Sequence, residues 1–449
     1  MFKTIQQIHF VGIGGSGMSG IAEVLLNLGY KVTGSDLKES EVTQRLSGLG
    51  ARIFYGHKAS NVGDAHVVVT STAVAGDNPE VVLARKNKVP VIPRIEMLAE
   101  IARLKYTIAV AGTHGKTTTT SMVASILQGG GLDPTIIVGG RVNHLQSGAK
   151  LGKGDFLVAE ADESDGSFLK LAPTLSIITN IDNDHLDYYK SVQNLRKSFV
   201  EFANKVPFYG CTIVCTDDPG VKSVLPYISR RVVSYGFEPK TDFSAADISD
   251  GPEGTRYMLL RQGRPLRKIA LKLSGKHNVL NSLAACAIGL ELGIAIETIA
   301  QSLERFESVG RRLEKRGEKN GALWIDDYGH HPTEIRATLS ALRDRYPDKN
   351  LVVLFQPHRF SRTRLLLKEF GKSFKDAGEV ILLPIYPAGE KPIAGVDSKK
   401  LLPLLKKDGV SARVQNGKGP DLAQYVKPGT VFLTLGAGDV WKTGQKIFS

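Results

Sequence analysis

Two short stretches of this sequence carry residue types that could grip an anion. In "VGIGGSGMSG", Gly12, Gly14 and Gly17 follow a G-x-G-x-x-G spacing between an apolar run and an amphipathic one, and Asp36 closes the next apolar run. Glycines so spaced let the backbone turn tightly and approach a diphosphate, while the unpaired N–H groups of the following helix stabilise its charge. Asp36 stands where an acid accepts hydrogen bonds from ribose hydroxyls. A nicotinamide dinucleotide and a UDP-sugar both suit these residues.

The second stretch, "AGTHGKTTTT", contains Gly112, Gly115, Lys116 and Thr117. It departs from the usual phosphate-loop spacing, since two residues rather than four separate the first glycine from Gly-Lys. The mechanism survives the altered spacing. Backbone amides would cradle phosphates, Lys116 would neutralise the β and γ oxygens, and Thr117 would ligate Mg2+. Four consecutive threonines open a helix poorly, so something other than propensity selects them. "DFLVAEADESDGSFL" adds Glu160, Asp162, Glu163 and Asp165, and "TNIDNDHLDYY" adds Asp182, Asp184, His185 and Asp187. One acidic run after a strand reads as a solvated loop. Two such runs downstream of a single Gly-Lys-Thr turn read as a metal-nucleotide site, because hard oxygen donors suit Mg2+.

Positioning such groups requires strands that deliver them to one edge. Apolar runs alternate with amphipathic stretches along the whole chain, the pattern of parallel α/β domains. The first block has a strand at 8–13, a helix from about Ser16 and a strand at 31–34, then "HVVVTST" and a helix after Pro93. The second runs from "YTIAVAG" through "DFLVAEAD" and "LSIITNID" to the helical "NVLNSLAACAIGLELG" and "IETIAQSLERF". The third has "LWIDDY", "NLVVLFQ", "EVILLPIY" and "TVFLTLGAGD" as strands. Three successive α/β domains follow, at 1–103, 104–309 and 310–449. The first and last are Rossmann-like, and the central one is of the P-loop mononucleotide-binding type.

The 449 residues exceed what one core usually holds, and 42% hydrophobic with 23% charged residues exclude a disordered chain. No apolar run reaches the length of a membrane span and no signal-peptide pattern opens the chain, so a cytoplasmic protein is expected. Cys211, Cys215 and Cys286 have no metal-ligand spacing and suggest buried small hydrophobes. The excess of 58 Lys+Arg over 45 Asp+Glu favours anionic partners. Because the basic residues are scattered and no nucleic-acid motif is present, small phosphorylated substrates are expected rather than nucleic acid. A nicotinamide dehydrogenase leaves Lys116, Thr117 and Glu163 unexplained. The basic balance and the phosphate turn also suit a nucleic-acid-dependent ATPase, and the pair of turns suits a non-enzymatic, nucleotide-gated scaffold.

Taken together, "GTHGKTTTT", "EADESDGSFL", "NIDNDHLDYY", "GKHNVLNSLAA", "DDYGHHPTE", "FQPHRFSRT" and "LGAGD" resemble the Mur ligases of peptidoglycan synthesis, over essentially the whole chain. Within that family they are most similar to the members that join L-alanine to UDP-N-acetylmuramate. The resemblance implies ATP and Mg2+ as cofactors and these two molecules as substrates of a monomer or homodimer, with no nucleic acid and no membrane insertion. It implies an acyl phosphate on the lactyl carboxylate, attacked by the alanine amine. UDP-sugar binding would fall to Gly12, Gly14, Gly15, Ser16, Gly17, Asp36, Ser71 and Thr72. ATP binding would fall to Gly112, Thr113, His114, Gly115, Lys116, Thr117, Thr118, Asn278, Asn281, Arg312 and Asp327. Thr117, Glu163 and His185 match metal-ligand positions. Helix capping is the other role open to the asparagines. Tyr328, His330, Arg359 and Arg362 would receive the amino acid, with the arginines forking onto its carboxylate. Lys116, His330, His358 and Arg359 form the catalytic set, and either His330 or His358 would take the ammonium proton. Gly148 stands where the resemblance leads to an asparagine, and Asn143 is the nearby amide that would substitute for it.

Overall fold

Continuous apolar runs bounded by glycine turns become parallel strands buried on both faces. The structure, a computed structural model, describes residues 5–71, 73–142, 147–251, 253–415 and 422–449. Thr72 and Asn143, both expected near the substrate, lie outside the described residues.

The first sheet contains β1 (Gln7–Val11), β2 (Lys31–Asp36), β3 (Arg52–Tyr55), β4 (Val67–Thr70) and β5 (Val91–Pro93), in the order β3-β2-β1-β4-β5. Every pairing is parallel. Strand order reverses beside β1, and the crevice outside the carboxyl ends at such a switch is where open α/β sheets bind ligands. The first glycine turn leaves β1 there. The expected strand at 8–13 ends early, at Val11, because Gly12 turns with φ +77°.

The second sheet has ten strands: β6 (Tyr106–Ala111), β7 (Thr135–Val142), β8 (Ser147–Lys150), β9 (Phe156–Glu160), β10 (Leu175–Ile178), β11 (Cys211–Cys215), β12 (Val232–Gly236), β13 (Phe243–Gly251), β14 (Gly254–Arg261) and β15 (Arg264–Leu271). Their order is β15-β14-β13-β12-β11-β10-β6-β9-β7-β8. β6 lies between β10 and β9, parallel to both, so the loops after these three strands share one edge.

The third sheet contains β16 (Glu314–Lys319), β17 (Ala322–Asp327), β18 (Asn350–Phe355), β19 (Glu379–Leu382), β20 (Ser411–Val414) and β21 (Thr430–Leu435), ordered β16-β17-β21-β18-β19-β20. Among the described residues of this sheet only the edge strand β16 pairs antiparallel. "EVILLPIY" stops at Leu382, two residues before Pro384, which cannot donate to a ladder.

Three sheets flanked by helices make a three-domain α/β fold. Packing divides the chain differently from the expected boundaries. Met1–Ala246, Met258–Ile269 and Leu280–Phe306 form one compact unit, and Asp247–Tyr257, Ala270–Val279 and Glu307–Ser449 form the other. One hydrophobic core in the first unit joins Ile8, Phe10 and Leu25 to Phe168, Phe199 and Phe202. In the second, Phe355, Phe370 and Phe374 are central. The three cysteines are free and buried, and burial pushes the Cys211 thiol up to about 11 and Cys215 to about 12, so both stay protonated and inert. Among the described residues no helix is long and apolar enough to cross a membrane.

Candidate active site

The first glycine turn connects β1 to the helix Ser16–Asn27, and its geometry is fixed by β2. The Gly12 and Ile13 amides donate to the Ser35 carbonyl at 2.8 and 3.0 Å. Asp36, expected to receive ribose hydroxyls, accepts the Gly14 amide on Oδ2 and the Leu37 amide on Oδ1, both at 2.8 Å. The carboxylate therefore staples the turn. Gly15 is the extended residue before the helix, and no side chain caps its first amides. Those amides are the groups an anion would satisfy. Ser71 follows β4 at the same sheet edge, where its carbonyl accepts the Val74 amide. The side chain of Ser16 is outside the described residues.

Gly17 has a reason that the spacing did not reveal. A Cβ there would lie 2.6 Å from the Arg94 guanidinium. Arg94, the first residue of the helix Arg94–Ala102, donates to Asp162 Oδ2 at 2.9 Å. Thus one arginine touches the first turn and pairs with the acidic loop beside the second. A basic residue placed directly after Pro93, where a helix starts, was the only sequence signal for it.

The second turn leaves β6 and enters the helix Lys116–Gly129. It is tied down by the segment after β10. Asn180 accepts the Thr113 amide on its carbonyl and the His114 amide on its side chain, at 3.1 and 2.8 Å. Thr179 Oγ1 and Asn180 Nδ2 both donate to the His114 carbonyl. Thr113 Oγ1 accepts the Asp182 amide, and His114 Nε2 lies 3.3 Å from Asp182 Oδ2. Part of the acidic "TNIDNDH" motif thus builds the loop. Gly112 has φ +131°, a conformation that side chains rarely adopt, and a Cβ there would overlap Thr179 Oγ1.

Lys116 Nζ donates to Glu163 Oε2 at 2.8 Å and Oε1 at 3.1 Å, and to the Gly112 carbonyl at 2.6 Å. Burial disfavours its charge, but Glu163, Asp162 and Glu160 outweigh that and hold the ammonium above its usual range. Glu163 is 1% exposed. His185 Nε2 lies 3.7 Å from its Oε1, on a residue with φ +56°, and Tyr189 Oη holds the Glu163 carbonyl at 2.5 Å. Thr117 is the second residue of the helix beyond. The four-threonine start has its explanation here. Thr118, Thr119 and Thr120 are buried, and Thr119 Oγ1 donates to Asn281 Oδ1 at 3.1 Å. Asn281 packs against the loop itself, its Oδ1 2.6 Å from where a Gly115 Cβ would sit. Asn278 differs, since its amide donates to the Ser274 carbonyl at the start of the helix Lys276–Glu291.

In the second unit the chemistry gathers outside the carboxyl ends of β17, β18 and β21. Asp327 is buried, and its oxygens accept the Leu313 and Gly329 amides at 2.8 Å and Thr338 Oγ1 at 3.1 Å. Burial raises its pKa, and these contacts make it a brace for the turn rather than an open ribose acceptor. Arg312 Nη1 lies 3.6 Å from Glu334 Oε1, and its guanidinium covers the Tyr328 ring at 5.2 Å. His331 caps the helix Pro332–Arg345, with Glu334 closing the capping box. His330 Nδ1 lies 3.3 Å from Glu334 Oε2.

Rings follow in series. Tyr328 and His330 meet at 5.4 Å, His330 and His358 at 5.7 Å, and His358 stacks on Tyr386 at 5.5 Å. Burial first, then Arg362 and Arg359, lower the His358 pKa to about 4, so it is neutral near pH 7. Its Nδ1 is buried with no hydrogen-bond partner among the described residues. Arg359 is exposed and held at φ +70°, with its amide on the Tyr386 carbonyl. Sequence reasoning missed Glu390, which accepts from Ser361 and faces Arg359, and Arg311, whose guanidinium binds Asp326 and the carbonyls of Gly436 and Gly438. Arg311 holds the "LGAGD" loop, while its neighbour Arg312 packs on Tyr328 beside Glu334.

Three family descriptions match successive parts of the chain. The Mur ligase family catalytic domain matches residues 7–106, the Mur ligase middle domain 110–289, and the Mur ligase glutamate ligase domain 311–438. A UDP-N-acetylmuramate–L-alanine ligase of Endomicrobium trichonymphae is 53% identical over 452 residues, covering 100% of both chains. One from Geobacter sp. (strain M21) is 54% identical, covering 99% of this chain and 97% of that one. Among solved structures, a UDP-N-acetylmuramate–alanine ligase from Thermotoga maritima superposes with a TM-score of 0.84 at 32% identity, covering 98% of each chain. A murein peptide ligase from Psychrobacter arcticus, with a TM-score of 0.73 at 23% identity over 98% of both chains, shares the fold.

Proposed function

This chain belongs to the Mur ligase family, and from that premise we propose that its two glycine turns divide the work of one ligation. The enzyme joins L-alanine to the lactyl carboxylate of UDP-N-acetylmuramate with hydrolysis of ATP, a step of peptidoglycan synthesis. Residues 1–103 hold the UDP-sugar, 104–309 hold ATP, and 310–449 receive the amino acid. Such a reaction belongs in the cytoplasm, where ATP and the sugar nucleotide are made.

One observation carries the division. The second turn alone has a lysine at its centre, shared between a buried carboxylate and the loop's own carbonyl. A carboxylate does not condense with an amine in water until it is activated. Its oxygen attacks the γ-phosphorus of ATP, ADP leaves, and an acyl phosphate remains. The alanine nitrogen then attacks the acyl carbon, phosphate departs, and the nitrogen gives up its extra proton. Lys116 stabilises the negative charge that builds on the transferring phosphoryl oxygens. With the Thr113 and His114 amides tied to Asn180, the amides of Gly115 to Thr117 at the start of the helix bind the polyphosphate.

Glu163, which is buried, and His185, which is partly exposed, offer oxygen and nitrogen donors side by side, a set that fits a divalent cation. With Thr117 they would hold Mg2+, which supplies further charge neutralisation at the phosphates when bound. Arg312 contacts an ATP phosphate. Asn281 supports the loop, while Asn278 and Asp327 are engaged by nearby backbone. Arg359 and Arg362 fork onto the alanine carboxylate, and Tyr328 and His330 line the same edge. With a pKa of about 4, His358 accepts a hydrogen bond from the ammonium but is a poor proton store, which favours His330 as the base.

Phosphate release measured with ATP, Mg2+, UDP-N-acetylmuramate and L-alanine, omitting each in turn, tests the reading. Release only with all four, and a product heavier by one alanine, is the expected result. Release that requires a peptide in place of alanine would reassign the acceptor, and none under any combination would refute the ligase reading.

A further inference from the structure

Outside the groups assigned so far, Glu80 is a buried charge in the first unit with several hydrogen-bond partners. It is the second residue of the helix Pro79–Lys86, whose cap Asn78 accepts the Glu80 amide. Its side chain is fully buried. Oε2 accepts from Ser35 Oγ at 2.6 Å and lies 3.3 Å from His9 Nε2. Oε1 accepts from Asn61 Nδ2 at 2.7 Å and from the Lys58 amide at 3.2 Å, and His57 Nδ1 is 3.6 Å away. One carboxylate thus joins β1, β2, the loop after β3 and the turn at Ala59–Val62. Burial pushes its pKa up, but the bonds from His9, Ser35 and Asn61 outweigh burial and hold it down at about 2.

What these contacts share is the first glycine turn. The hydroxyl of Ser35 is fixed by Glu80, and the carbonyl of the same residue accepts the amides of Gly12 and Ile13. The next residue, Asp36, staples Gly14. His57, which bonds Ser35 Oγ at 3.1 Å, follows β3 at the same sheet edge. Burying an ionised carboxylate is costly, and apolar side chains of similar volume would usually stabilise a core as well or better. A charge kept there holds polar atoms in one arrangement.

We propose that Glu80 is a positioning residue for the sugar-nucleotide site, setting the orientation of Ser35 and, through its carbonyl, the turn whose amides meet the diphosphate. It touches no substrate and acts on binding, not on the chemical step. The inference rests on the assignment of the first turn to the UDP-sugar.

Glu80→Gln keeps the size of the side chain and removes its charge. The expected result is a rise of about tenfold or more in KM for UDP-N-acetylmuramate, with kcat and the KM values for ATP and L-alanine within about twofold of wild type. Ser35→Ala leaves the carboxylate in place and removes its link to β2 together with the Ser35–His57 bond, so the same KM should rise by roughly threefold to fivefold. Glu80→Asp, which restores charge at a shorter reach, should fall between wild type and Glu80→Gln. Thermal unfolding is measured alongside. A lowered Tm with an unchanged sugar KM, or equal changes in all three KM values, would overturn the proposal and leave Glu80 a stabilising residue. If Glu80→Gln fails to fold, Ser35→Ala decides by the same criteria. Binding of UDP-N-acetylmuramate to the wild type is measured first. Its absence would refute the ligase reading and this inference with it, whereas normal wild-type binding with no selective KM rise refutes the inference alone.

Discussion

The two glycine turns share a plan, strand to turn to helix at the edge of a parallel sheet, and differ in what holds them. The first is held from below by neutral and acidic groups: the Ser35 carbonyl, the Asp36 staple and the buried Glu80 network. No cation lies within its own Gly12–Gly17 segment. The second is held from the side by Thr179 and Asn180 and carries a lysine whose charge is shared with Glu163. Rigid amides suffice to bind a diphosphate that does not react. A phosphate that transfers also requires a charge that can meet its transition state. The difference between the turns is therefore the difference between holding and reacting.

The largest break in this comparison should come from Lys116→Ala. Turnover is expected to fall by roughly 10²–10³ or more, with the KM for UDP-N-acetylmuramate nearly unchanged. Steady-state kinetics check this, and near-normal turnover in a folded variant would remove Lys116 from the mechanism. Gly112→Ala comes next. It combines a strained φ with a clash at Thr179, so ATP binding should be lost or weakened by about 10-fold or more, roughly 1–3 kcal/mol. Gly17→Ala is the contrasting change. It meets only the far end of Arg94, which can move, so a smaller rise of about twofold to fivefold in the sugar KM is expected.

Acid separates the regions further. Glu80 has a folded pKa of about 2 against an ordinary 4.5. The stability it contributes is present above pH 4.5 and is lost as pH falls toward 2, on the order of 3 kcal/mol. His358 has the same sign in a higher window. It stays neutral in the folded chain down to about pH 4, while the unfolded imidazole takes up a proton below 6.5. Stability from that site is therefore full above pH 6.5 and declines toward pH 4. Amide hydrogen exchange at stepped pH should show the third-sheet region loosening before the first, and the reverse order would contradict these assignments.

Much of this was legible in the sequence for physical reasons. Strands buried on both faces write themselves as apolar runs, so "YTIAVAG" and "NLVVLFQ" could be placed within a residue or two. Glycines that must turn leave a spacing. The hairpin strands between Phe243 and Leu271 have exposed and half-buried positions and left no such run. Side-chain partners were less visible. Asp36 and Asp327 have the residue type of a ribose acceptor, and the backbone amides that they also accept are visible only in the coordinates. Asn278 and Asn281 stand three positions apart in one helix and serve different neighbours. Arg94 and Glu80 were missed because they work across 19 to 71 residues of chain, without a local motif.

The most direct test of two turns with two duties is equilibrium binding of UDP-N-acetylmuramate and ADP, separately and together, to wild type and Lys116→Ala. One site for each ligand, no competition between them, and weakened ADP binding alone in the variant are expected. Competition in the wild type, or loss of the sugar nucleotide on replacing Lys116, would contradict that division of duties.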